Sequence, residues 1–212
     1  MIKMIKIGKM LLGSLGTNCY FAYDDERAKA VVFDPAVEGA LLYDKLKSAG
    51  LSVEAIYLTH GHYDHIAGCE ELKDLTGAKV YALAEEEELC KDPMQNLSQL
   101  FGKAMGLSPD GLVHDGDVCE EGGITFRVIA TPGHTVGSCV YYFEEEGFLV
   151  GGDTLFEGSV GRTDFPTGSS VQLVKSIKEK LFVLPDEVKV FSGHGDVTTI
   201  GYEKQYNPFL AS

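Results

Sequence analysis

The chain has 212 residues, 44% hydrophobic and 24% charged, with a formal net charge of −14. That length suits one domain over residues 1–212, large enough to bury roughly 70% of the surface its unfolded form exposes. The charge would repel a phosphate backbone and argues against a nucleic-acid partner, and no apolar stretch is long enough to cross a membrane as a helix.

The N-terminal stretch MIKMIKIGKMLLG spreads lysines among its apolar residues instead of placing them ahead of an unbroken apolar segment. It therefore reads as a first strand, Lys3–Met10, and not as a signal peptide. Strands follow at Cys19–Tyr23 and Ala30–Phe33, then a helix over Val37–Ala49 and a strand at Ala55–Leu58. Helical spacing resumes at Ile66–Leu75, Glu85–Lys91 and Leu97–Met105, with a strand at Lys79–Ala82 between the first two. The later strands are Ile124–Ala130, Ser138–Phe143, Phe148–Gly151 and Val188–Phe191, with a helix over Ser169–Leu181. The acidic run Glu85–Glu88 reads as a solvated helix face. Five cysteines (Cys19, Cys69, Cys90, Cys119, Cys139) form no CxxC pair and are odd in number. They suit buried thiols in a reducing, cytoplasmic setting.

The chemistry concentrates where apolar runs end. Leu58-Thr59-His60-Gly61-His62-Tyr63-Asp64-His65 holds three of the six histidines. Side chains alternate in extended backbone, so His60 and His62 share one side and Asp64 continues the row. A helix starting near Ile66 would swing His65 toward the same region. His134, Asp153 and His194 each follow a later strand through a glycine-containing turn, and strand ends at one edge of a sandwich can gather all seven residues. Packing alone has no use for so many polar rings beside carboxylates. Nitrogen and carboxylate donors without thiolate suit Zn²⁺, with Fe²⁺ and Mn²⁺ also compatible. Seven ligands exceed one tetrahedral ion, so two divalent ions share Asp153: His60, His62, His134 and Asp153 for the first; Asp64, His65, Asp153 and His194 for the second. His114, between Val113 and Asp115, stays unassigned.

These motifs, together with Gly133-His134-Thr135, Gly152-Asp153-Thr154-Leu155-Phe156 and Gly193-His194-Gly195, resemble the metallo-β-lactamase superfamily across essentially the whole chain. The segment Gly151–Asp164 is similar to the glyoxalase II branch, and Asn96-Leu97-Ser98 with Phe101-Gly102 to its short bacterial form. The resemblance implies an α/β fold, an αββα sandwich of two mixed sheets flanked by helices, with a dinuclear site at the shared edge. Too few residues follow His194 for the helical domain by which longer glyoxalase II enzymes hold glutathione.

An ion-activated water needs no protein base, and a thiol with a pKa of about 8.5 leaves without a strong acid, whereas an amide nitrogen needs a proton. Thioester hydrolysis is thus the easier chemistry, on a small 2-hydroxyacyl thioester such as S-lactoylglutathione. Asp64 would orient the nucleophile. Arg162 offers a bidentate fork for a substrate carboxylate, a role the resemblance supports, or else a salt bridge to Asp164. The rival function is a persulfide dioxygenase with one iron, whose family has a segment like Gly161-Arg162-Thr163-Asp164.

Overall fold

The computed structural model describes residues 4–211, so Lys3 of the predicted first strand lies outside the described residues. Strands β1 (Lys6–Leu12), β2 (Thr17–Asp24), β3 (Lys29–Phe33), β4 (Ser52–Tyr57), β5 (Lys79–Leu83) and β6 (Gly111–Val113) form one sheet in chain order. It is mixed: β1, β2 and β3 run antiparallel, and β3 to β6 parallel. The second sheet comprises β7 (Val118–Glu121), β8 (Ile124–Ala130), β9 (Cys139–Phe143), β10 (Phe148–Gly152), β13 (Lys189–Ser192) and β14 (Thr198–Thr199), in the spatial order β14-β13-β10-β9-β8-β7. A small hairpin, β11 (Leu155–Phe156) and β12 (Ser159–Val160), sits apart from both.

The two sheets face each other across an aromatic core of Phe33, Tyr57, Phe126, Tyr141 and Phe143. Tyr57 meets Phe126 edge to face, with ring centroids 4.9 Å apart, a geometry that adds about 0.5–1.5 kcal/mol beyond area burial. Helices α1 (Gly39–Ser48) and α3 (Cys69–Thr76) bury Leu42, Leu46 and Leu72 on the outer face of the first sheet. Helix α4 (Glu87–Lys91) buries Leu89 and Cys90, and helices α5 (Ser170–Ser176) and α6 (Ile200–Tyr206) bury Leu173 and Ile200 on the outer face of the second sheet. The result is the αββα sandwich. Strands covered on both faces lose the in–out alternation, which is why Val31-Val32-Phe33 and Cys139-Val140-Tyr141-Tyr142-Phe143 are uninterrupted buried runs.

Several predicted elements differ in detail. The helix expected over Ile66–Leu75 is broken: α2 (Tyr63–Ile66) ends early, Gly68 N–H leaves the helix to donate to Ala36 O (2.5 Å), and α3 starts afresh. The helix expected over Leu97–Met105 shrinks to one 3₁₀ turn, Ser98–Phe101, because Leu97 and Gly102 on either side are left-handed, with φ of 68° and 71°. The short strands β6, β7 and β14 have too little pattern to be predicted. All five cysteines are free, with Cys19, Cys69, Cys90 and Cys139 buried. Among the described residues no helix is long and apolar enough to cross a membrane.

The C-terminal ends of β4, β8, β10 and β13 open at one edge of the sandwich. Backbone bonds close that edge across the two sheets: Cys139 N–H donates to Thr59 O (2.9 Å) and Asn18 N–H to Gly193 O (2.7 Å).

Candidate metal centre

Each of the seven predicted ligands follows one of these strand ends, and the structure brings all seven together. His60 and His62 lie in extended backbone after β4, with His62 at the start of α2. The expected alternating row stops there, because Asp64 and His65 fall inside the helical turn. That turn carries Asp64 round to His194, with Asp64 Oδ2 3.2 Å from His194 Nε2.

Three sets of donors lie close enough to hold an ion, but in one of them Asp34 is already hydrogen-bonded to His65 Nδ1 and, through Thr59, to His60 Nδ1, which leaves two. In the first, His134 Nε2 lies 2.9 Å from His62 Nδ1 and 3.3 Å from His60 Nε2, and all three residues are buried. In the second, Asp64, His65 and His194 converge. Asp153 stands between the groups: Oδ2 is 3.7 Å from both His134 Nε2 and His194 Nε2, and Oδ1 is 3.5 Å from His65 Nε2. That position fits a carboxylate shared by two ions. His114 is remote in kind as well as sequence, an exposed ring 3.6 Å from Asp117.

The ring nitrogens turned away from the centre fix the tautomers. His134 Nδ1 donates to Arg162 O (2.7 Å) and His194 Nδ1 to Gly16 O (3.3 Å). His65 Nδ1 donates to Asp34 Oδ2 (2.9 Å). Thr59 Oγ1–H donates to that same Oδ2 at 2.6 Å, so its oxygen accepts from His60 Nδ1 at 3.1 Å. Each of these four histidines therefore turns Nε2 inward, the nitrogen a metal-binding imidazole presents once it has given up its proton there. Asp34 sets two of them, His65 directly and His60 through Thr59. The site fits a divalent cation on a further count. Buried His65 Nε2 and Asp153 Oδ1 have no hydrogen-bond partner among the described residues, and a buried polar atom left so costs about 1–3 kcal/mol unless a ligand satisfies it.

The two groups differ in proton affinity. Burial, reinforced by the neighbouring imidazoles, holds His60 well below the usual histidine range and takes His62 down to about 3. Burial also penalises His65 as a cation, but Asp64, Asp153 and Asp34 overcome it and raise His65 to about 10. His194 is raised too, against the penalty of burial, by the Asp64 hydrogen bond and by Asp153. Burial opposes ionisation of Asp64, yet His65, His194 and the Thr17 hydroxyl, which donates to Oδ2 at 2.9 Å, hold it below the usual carboxylate range.

Four contributors escaped the sequence analysis. Thr17, Asp34 and Thr59 are buried polar residues that orient ligands. The only signal was Asp34 ending the apolar run Val31-Val32-Phe33. Its φ of 50° is a strained left-handed backbone for a non-glycine residue. The fourth, Glu86, corrects an expectation: the run Glu85–Glu88 is not all solvated, because Glu86 is fully buried. Its carboxylate accepts from Gly61 N–H at 2.8 Å and Gly137 N–H at 2.7 Å. Burial pushes it up to about 7 although those bonds pull the other way.

A cleft of about 470 Å³ opens above the centre, bounded by Leu97, Leu100 and Phe101 on one side and by Phe156, Val160 and Phe165 on another. Phe101 stacks on Tyr63, with ring centroids 5.3 Å apart. Arg162 lines this cleft, but its fork is engaged: Nε and Nη2 each donate to Asp164 at 2.8 Å, and the guanidinium lies 3.8 Å from the Phe165 ring centre. Gly161 lets the Arg162 carbonyl reach His134, since a Cβ there would lie 1.8 Å from Asp153 O.

Comparison with known proteins places this site in a wide context. The chain is 35% identical over 198 residues to hydroxyacylglutathione hydrolase GloC of Haemophilus influenzae, covering 92% of this chain and 93% of that protein. Its backbone superimposes on the crystal structure of BLEG-1 B3 metallo-beta-lactamase with a TM-score of 0.92 at 38% identity, covering 98% of this chain and 100% of the other. ETHE1 from Myxococcus xanthus matches with a TM-score of 0.81 at 29% identity, covering 96% and 83% respectively. Residues 12–194, which begin before Thr17 and end on His194, fit the sequence profile of the metallo-beta-lactamase superfamily. With that span enclosing every residue of the two donor groups, the chain belongs to the metallo-beta-lactamase superfamily, a superfamily of metal-dependent hydrolases.

Proposed function

We propose that this protein is a dinuclear hydrolase of the glyoxalase II type, cleaving 2-hydroxyacyl thioesters such as S-lactoylglutathione. The observation that carries the reading is the pair of donor groups joined by Asp153. His60, His62, His134 and Asp153 would hold one ion; Asp64, His65, His194 and Asp153 would hold the other, with Zn²⁺ the best fit to the donors and Fe²⁺ or Mn²⁺ compatible. When bound, such ions supply Lewis acidity, polarising a carbonyl and lowering the pKa of water toward 7.

The chain's own residues do the rest. Thr17 holds Asp64 in one rotamer, so its carboxylate can orient an attacking water toward a carbonyl at the floor of the cleft. The apolar walls exclude bulk water and take the carbon skeleton of the substrate. A departing thiol, with a pKa of about 8.5, needs no acid, and the centre places none beside it: His65 and His194 point their inner nitrogens at carboxylates. The 35% identity to GloC supports the hydroxyacyl thioester among other thioesters.

A persulfide dioxygenase with one iron remains the rival, since the presence of Asp64, His65 and His194 is compatible with both functions; the 35% identity to GloC favours the hydrolase. The test pairs two assays. Protein loaded with Zn²⁺ without oxygen is expected to release thiol from S-lactoylglutathione, and protein loaded with Fe²⁺ in air to consume little oxygen with glutathione persulfide. Persulfide-dependent oxygen uptake with one iron bound, and no thioesterase activity in any metal form, would overturn the proposal.

A further inference from the structure

Glu86 is a buried carboxylate that the reaction just described does not use. It closes a 3₁₀ turn, Ala84–Glu86, at the end of β5, and none of its surface is exposed. Its two oxygens act on two different loops. Oε1 accepts from Gly61 N–H, the residue between His60 and His62, and Oε2 from Gly137 N–H, three residues after His134. One loop follows β4 of the first sheet and the other joins β8 to β9 of the second, so this side chain ties the sheets together directly behind the three-histidine group. The approach is close: a Cβ on Gly137 would lie 2.3 Å from Glu86 N.

We infer that Glu86 is a positioning residue: by fastening Gly61 and Gly137 it sets the spacing of His60 and His62 from His134, and with it the affinity of that group for a divalent ion. The inference rests on the metal role proposed for those histidines. Asp64, His65 and His194 are held instead by Thr17, Asp34 and Gly16, so the second group should not depend on Glu86. An amide in its place would keep the shape but turn an NH₂ toward one of the two N–H groups, breaking one tie.

The experiment titrates metal-free protein with Co²⁺ against a chelator and follows both the absorption of each bound ion and its affinity. His134→Ala and His194→Ala assign the two steps. In Glu86→Gln the step lost in His134→Ala should weaken by about 10–100-fold, the range for partners behind a ligand. The other step should stay within about twofold, as for an independent site. Asp24→Asn is the control for mere stability. Asp24 is a buried carboxylate that holds the β2–β3 turn through Glu26 N–H and Arg27 N–H; its loss should lower Tm and leave both steps unchanged. If Glu86→Gln does not fold, the unmutated metal-free protein decides: the Gly61 and Gly137 amides should resist hydrogen exchange, and free exchange of either overturns the inference. So does Glu86→Gln with both steps intact, or with both weakened alike. A wild-type protein that takes up no Co²⁺ would sink the metal reading itself, a different result from either.

Discussion

His60 and His62 in the three-histidine group, and His65 and His194 beside Asp64, lie within one centre and use the same imidazole, yet the two pairs hold protons oppositely. Around His60 and His62 burial and the neighbouring rings outweigh the pull of Asp64 on His62, so the neutral form wins. Around His65 three carboxylates outweigh equally complete burial, and the cation wins. Neighbouring charge, not burial, decides the sign here, because both environments are desolvated. His60 and His62 are thus ready for a cation near neutral pH. His65 and His194 must release protons to take one.

The largest expected effect comes from removing what the groups share. Asp153→Ala should lower occupancy of both ions, each by on the order of 100-fold or more, whereas His194→Ala should empty mainly the second. Metal counting by mass spectrometry checks it; two tightly held ions in Asp153→Ala would remove the bridge from the account.

Asp34→Asn tests whether the groups are wired together from behind. Asp34 reaches His65 directly and His60 through Thr59, so the amide should weaken both ions by about 10–100-fold. A loss confined to one ion would separate the two wires. Chelator competition measures it.

The smallest effect concerns the cleft. Because Asp164 already fills the Arg162 fork at an exposed position, Arg162→Ala should raise KM for a carboxylate-bearing thioester by no more than about threefold, typical of an exposed pair. A neutral thioester should respond alike. A much larger rise confined to the charged substrate would restore the free fork expected from the sequence.

That these seven side chains would meet was legible because residue types able to bind a cation stand just past strand ends, and a short loop such as His60–His65 concentrates them. The sandwich followed from buried apolar runs such as Val31–Phe33. What orients the donors was hidden. Asp34 and Thr17 look like ordinary polar residues beside strands, and their roles appear only when chain ends distant in sequence meet. Glu86 was masked by its neighbours, since an acidic run reads as solvated even when one member turns inward. The helix expected over Leu97–Met105 failed for a local reason, the left-handed backbone at Leu97, which a leucine does not advertise.

Two unlike ion sites sharing one centre should separate in stepwise metal binding as a function of pH. His65 and His194 have raised proton affinities, so an ion there displaces protons. Its affinity should fall about tenfold per pH unit for each proton displaced as pH drops from 8 to 6. His60 and His62 hold no proton in that window, so neither adds to proton release at the first ion, whose affinity should depend less on pH than that of the second. Calorimetric titration of the metal-free protein at pH 6, 7 and 8, in buffers of different ionisation enthalpy, counts the protons at each step. Two steps are expected, the second releasing more protons than the first. A single ion, or two ions with the same pH dependence, would contradict this.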